Sequence, residues 1–121
     1  MTALSAKLQT IEVTADFLKQ GIPIIDVRTP GEWRRTGVIK GAHTIMFFDK
    51  EGRYRIDAFL KALNHAVDTQ KPFALICHTG SRTTAISQFL DTELHYNVIN
   101  LQGGMEKLRS EGYQPVPYGG E

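Results

Sequence analysis

The chain has one cysteine, and its setting is chemical. In "FALICHTGSRTTAISQFL", Phe73 to Leu90, an apolar run ends at Cys77, and Arg82 follows after four residues. The thiolate is the reactive form of cysteine, and a free thiol titrates near ~8.5. A sulfur just before a helix N-terminus is easier to ionise, because the helix dipole and the unpaired N–H groups favour an anion. The backbone N–H groups of His78, Thr79, Gly80, Ser81 and Arg82 are placed to curl around the sulfur as an anion nest. Gly80 supplies the positive φ that such a curl needs. Arg82 adds a cation, and His78 adds a second when protonated. A lone cysteine after an apolar strand is ordinarily an inert packing residue. Cys, Gly and Arg at this spacing, between a strand and a helix start, instead describe a loop that activates a thiolate and cradles an anion.

Asp26, Arg28 and Glu32 form a second group, in "DVRTPGEW". Asp26 or Glu32 can pair with Arg28 or with Arg82, holding the cysteine loop from behind; the simplest role is a structural ion pair. Trp33 reads as a packing residue, and Arg34 and Arg35 as a solvated face. Four histidines (His43, His65, His78, His95) lack the spacing of a metal site, and no metal is expected.

Strands and helices must place these groups. "LQTIEV" is β-prone, and "TADFLKQG" follows as a helix capped by Thr14 and stopped at Gly21. "PIIDV" is a buried strand ending beside Asp26. "RTPGEWRRTGVIKG" reads as a loop turning at Pro30-Gly31, with at most a short helical turn through Trp33. "AHTIMF", residues 42–47, is strand-like, and "DKEGRY" is a charged loop. "IDAFLKALNHAV" is a helix with Ile56, Phe59, Leu60, Leu63 and Val67 inward. "KPFALI" is the strand before Cys77, and "SRTTAISQFLDTEL" a helix with Ala85, Ile86, Phe89 and Leu90 on one side. "YNVINL" is a strand, and "GGMEKLRSEGY" a helix with Met105 and Leu108 inward, stopped at Gly112. "QPVPYGGE" is a Pro/Gly tail.

Alternating strands and helices predict an α/β fold with a parallel sheet. In such sheets ligands bind at the carboxyl ends of strands. Asp26, Cys77 and the "LQGG" loop after Leu101 all fall at such ends.

The whole has 121 residues, the size of one domain, 1–121. Hydrophobic residues make up 41% and charged residues 22%, with net charge +1. That balance provides no basic field for nucleic acid. "MTALSAKLQTIEV" lacks the apolar core of a secretory leader, and no apolar run suits a membrane span, so a cytoplasmic protein is expected. One cysteine excludes an internal disulfide.

Two loop types join a cysteine to an arginine in this way. Cysteine phosphatases carry C-x5-R around a phosphoryl group. The loop here is C-x4-R followed by Thr83, one residue tighter, and it resembles that of the rhodanese family. "DVRTPGEWRRTGVIKGAHTI" (Asp26 to Ile45) and "NLQGGMEKLRSEGYQPV" (Asn100 to Val116) resemble that family's flanking signatures. Val38 and Leu108 depart from its common His and Trp, both at packing positions. The resemblance implies a three-layer fold around a five-stranded parallel sheet and a sulfurtransferase needing no cofactor. Cys77 would take a sulfane sulfur from a donor such as thiosulfate as a persulfide. It would pass that sulfur to a thiophilic acceptor: cyanide in vitro, a thiol or a protein in the cell. The loop residues 78–82 would hold donor and persulfide. His78, charged only in part near neutrality, implies modest thiosulfate activity that falls as pH rises. The alternatives are a sulfur-relay or binding module without free thiosulfate activity, and a cysteine phosphatase or arsenate reductase.

Overall fold

The computed structural model describes residues 8–119. The reading of the N-terminal stretch as no leader falls largely on residues 1–7, outside the described residues, as does the very end of the tail. Five strands form one sheet: β1 (Gln9–Glu12), β2 (Ile24–Asp26), β3 (His43–Thr44), β4 (Phe73–Ile76) and β5 (Val98–Gln102). Their order is β1-β5-β4-β2-β3, and every pairing is parallel. The helices are α1 (Ala15–Leu18), α2 (Pro30–Thr36), α3 (Ile56–Ala66), α4 (Ser81–Leu94) and α5 (Gly104–Ser110).

The central strands are apolar on both faces because both faces are covered. In β4, Phe73 and Leu75 pack with Phe59 and Leu63 of α3 and Ile86 and Leu90 of α4. Ala74 and Ile76 point the other way, towards Phe17 of α1 and Met105 and Leu108 of α5. The result is three layers with a core on each side of the sheet. From β2 the chain moves outward to β3, and from β4 it moves outward to β5 in the opposite direction. The gap between the carboxyl ends of β2 and β4 is therefore the switch point of the sheet, where ligands bind in such folds.

Three local expectations need correction. Residues 30–36 form a helix of seven residues rather than a turn. Thr29 caps it: its hydroxyl accepts from the Glu32 N–H, and the Glu32 carboxylate accepts from the Thr29 N–H, with Pro30 inside the first turn. This reciprocal cap, with burial of Trp33, outweighs the weak helix propensity of Gly31. The strand expected over 42–47 shrinks to His43–Thr44. Beyond it the backbone still leans on β2 irregularly, Ile45 N–H donating to Asp26 at 3.0 Å and Phe47 N–H to Val27 at 3.2 Å. Ala85 is exposed; the inward face of α4 is Thr83, Ile86, Ser87 and Leu90.

The tail is more than a trailer. Val116 and Val38 exchange backbone hydrogen bonds, both 2.9 Å, and Tyr118 lies against the buried ring of Trp33, centroids 5.2 Å apart. Trp33 is thus a packing residue, as expected. No helix among the described residues is long and apolar enough to cross a membrane.

Candidate active site

Cys77 follows β4 directly and is fully buried. The loop then turns over it: His78 and Thr79 are exposed, Gly80 is buried, and Ser81 opens α4. Gly80 is the N-cap, with φ +107, a left-handed conformation that bulkier residues resist. Its N–H donates to Cys77 Sγ at 3.1 Å. Among the described residues no side-chain hydrogen bond caps α4, so the free N–H groups and positive dipole end at its start lie in the loop that carries the sulfur.

The loop is clamped from the far side by the start of α5. Met105 N–H donates to the Cys77 carbonyl at 2.8 Å, and Glu106 N–H to the His78 carbonyl at 3.0 Å. Gly104, at φ +63, makes this approach possible: a Cβ there would collide with the carbonyls of both Cys77 and His78. The paired glycines therefore serve close approach as well as turning.

The two ion pairs sort themselves clearly. Arg28, fully buried, makes a fork on Asp26, with Nε at 2.9 Å from Oδ1 and Nη2 at 2.7 Å from Oδ2. The same guanidinium donates to Thr36 Oγ1 at 2.7 Å and the Gly37 carbonyl at 2.8 Å, pinning the end of α2 to β2. Glu32 takes Arg82 in a second fork, 2.8 and 2.7 Å, so α2 holds the first turn of α4. Arg82 thus approaches Cys77 as a cation already oriented by a carboxylate. Its pKa is raised, first by the Glu32 hydrogen bonds, with the charges of Glu32, Cys77 and Asp26 adding to it.

Arg82 holds the Glu32 carboxyl down to about 2, from an ordinary 4.5. A lowered folded pKa means stability that is complete above about pH 4.5 and is lost as pH falls through 2. Glu32 is partly exposed, so the contribution is on the order of 1–2 kcal/mol. The urea midpoint of the wild type is expected to fall more steeply between those pH values than that of Glu32→Gln. Parallel curves would mean that the pair contributes nothing.

Beside this fork lies an open groove of about 700 Å³, bordered by Glu32, Arg82, Arg34, Arg35, Met46 and Lys50. Sequence reasoning passed over one part of the site: Asn100, Thr84 and Gln102, which reach the loop from β5 and α4. The signal was present, since Asn100 is a polar residue inside the apolar run of β5. Among the described residues no cluster of three or more His, Cys, Asp or Glu side chains is placed to hold a metal.

A parallel α/β sheet with a buried thiol under a helix N-terminus, at the sheet's switch point, defines a class of thiol-loop proteins. Comparison narrows the class. The family model for the rhodanese-like domain matches residues 10–111, and the chain belongs to that family, which is of sulfurtransferase type. A rhodanese-related protein from Thermoplasma volcanium is 26% identical, with TM-score 0.66, covering 88% of this chain and 98% of that one. A rhodanese-like domain protein from Staphylococcus aureus is 24% identical, with TM-score 0.64 and coverages of 89% and 98%. A protein of unknown function from Rhodopseudomonas palustris, named a possible tyrosine phosphatase, is 23% identical, with TM-score 0.54 and coverages of 84% and 75%; the likeness is of fold. No curated protein matches the chain.

Proposed function

We propose that this protein is a sulfurtransferase in which Cys77 carries the sulfur, acting as a single domain. The Cys77 thiolate attacks the outer sulfur of a donor such as thiosulfate. A new S–S bond forms at Cys77, the donor's S–S bond breaks, and sulfite leaves with the electron pair. An acceptor nucleophile, cyanide or a thiolate, then attacks the outer sulfur of the persulfide, and the Cys77 thiolate is the leaving group. The two steps balance without an oxidant or an added cofactor.

The observation that carries this reading is the cradle: Sγ lies 3.1 Å from the Gly80 N–H, at a helix start with no side-chain cap. Such a site stabilises a thiolate, and then a persulfide anion, with fixed backbone dipoles. His78, Thr79, Gly80, Ser81 and Arg82 supply that cradle, and Glu32 orients Arg82. The Asp26–Arg28 pair supports the loop indirectly. The four residues between Cys77 and Arg82, one fewer than in C-x5-R, weigh against a phosphatase.

Intact mass spectrometry tests the proposal. After incubation with thiosulfate and removal of the excess, the protein is expected to gain one sulfur atom, and cyanide or a thiol should remove it. A protein that takes up no sulfur from thiosulfate or any other sulfane donor would refute the reading.

A further inference from the structure

β5 reads Val98, Ile99, Asn100, Leu101. Strand alternation turns Val98 towards the α3 and α4 layer, and Ile99 and Leu101 towards α1 and α5. Asn100 therefore faces α4, beneath its first turn, and is 2% exposed. A buried amide is costly unless its hydrogen bonds are made. Oδ1 accepts from the Thr83 hydroxyl at 2.6 Å, and Nδ2 donates to Thr84 Oγ1 at 3.2 Å and reaches Gln102 Oε1 at 3.4 Å.

The proton directions follow from counting donors. Thr84 has one hydroxyl proton and gives it to the Gly80 carbonyl at 2.8 Å. Its oxygen must then accept from Asn100, so the amide turns its NH2 to Thr84 and its oxygen to Thr83. An amide oxygen only accepts. Thr83 gives it its single proton, over the shorter 2.6 Å distance, in preference to the Gly80 carbonyl at 3.2 Å. What Thr83 then shows Cys77 Sγ, 3.7 Å away, is a lone pair.

We propose that Asn100 is a positioning residue for Cys77: by holding the Thr83 proton, it makes that hydroxyl an acceptor for the Cys77 S–H and so keeps the resting sulfur a thiol. The Thr83 hydroxyl can stabilise the thiolate only by swinging round to donate to the sulfur, giving up its bond to Asn100. The Gly80 N–H and the head of α4 pull the opposite way, towards the thiolate. The network thus sets how readily the buried sulfur ionises. The charged groups around it are Arg82 on α4, Glu32 on α2, His78 in the loop and the Asp26–Arg28 pair at the end of β2. α5 faces the loop with backbone N–H groups, and its Glu106 side chain is exposed. Replacing Asn100 alters none of these charges.

The inference rests on Cys77 as the reacting group, but its test uses no sulfur donor, so failed sulfur transfer and a failed network are distinguishable. The readout is thiolate ultraviolet absorbance against pH, with Cys77→Ser subtracted; with one cysteine the signal has one source. Asn100→Leu leaves the Thr83 proton to be shared between the Gly80 carbonyl and the sulfur, and is expected to lower the ionisation midpoint by up to about one pH unit, tenfold in the equilibrium. Asn100→Ala serves if leucine prevents folding. In a Thr83→Val background the same replacement should shift nothing. An unchanged midpoint in the single variant, or an equal shift without the Thr83 hydroxyl, overturns the proposal.

Discussion

Cys77→Ser is expected to reduce sulfur transfer to the uncatalysed background, a fall of roughly 10⁴-fold or more, the order seen when an attacking nucleophile is removed. A serine hydroxyl is far harder to ionise than a thiol, and its oxygen is a far weaker nucleophile towards sulfur. No second thiol exists to take over the role. The fold should hardly notice. Serine fits the space of the buried Cys77, and its oxygen can still accept from the Gly80 N–H that now meets Sγ at 3.1 Å. The thermal midpoint is expected to move by only a few degrees, and intact mass after thiosulfate should show no added sulfur. A variant that kept a tenth of the wild-type rate would remove Cys77 from the reaction.

The second large effect falls on stability. Arg28→Met strands the Asp26 carboxylate, fully buried between β2 and its neighbours, without the guanidinium that neutralises it. Removing one partner of a buried pair costs about 3–5 kcal/mol, because the remaining charge loses its compensation. That is a large share of the ~5–15 kcal/mol that holds a domain together. The thermal midpoint should fall by about 10–20 °C. Adding Asp26→Leu should recover part of the loss, since a double apolar replacement leaves no unpaired charge. It cannot recover the bonds from Arg28 to Thr36 and Gly37, which tie the end of α2 to β2. Arg28→Lys should also be poor, because an ammonium cannot make the fork and reach both anchors. A midpoint within a couple of degrees of wild type for Arg28→Met would show that the pair is dispensable. Sulfur transfer measured well below the midpoint should fall far less than in Cys77→Ser.

These two residues mark where sequence reading succeeded and where it stopped. Cys77, Gly80 and Arg82 lie within six consecutive positions, so their geometry follows from a strand end, a left-handed glycine and a helix start. Alternating strands and helices gave the parallel sheet and put Asp26, Cys77 and the paired glycines at one edge. The helix over 30–36 was also written locally, in Thr29 and Glu32 three residues apart; the Pro-Gly step drew attention to a turn instead. The edge strand fell short of its apolar run because only two of its residues find regular pairing on the short β2.

Which acid meets which arginine was not local. Asp26 and Glu32 were both within reach of Arg28 in the chain, but Glu32 pairs with Arg82, fifty residues away. Asn100 meets Thr83 across seventeen residues, and α5 meets the carbonyls of Cys77 and His78 across nearly thirty. The sequence by itself determined the thiol, the glycine that bends the loop over it and the helix start that follows, because each is set by neighbours along the backbone. Only the tertiary structure decided what surrounds that loop: the Glu32 fork, the α5 clamp and the Asn100 network. Those partners come together only when the sheet orders β5, β4 and β2 side by side, and that order depends on packing both faces of the sheet rather than on any local run of residues.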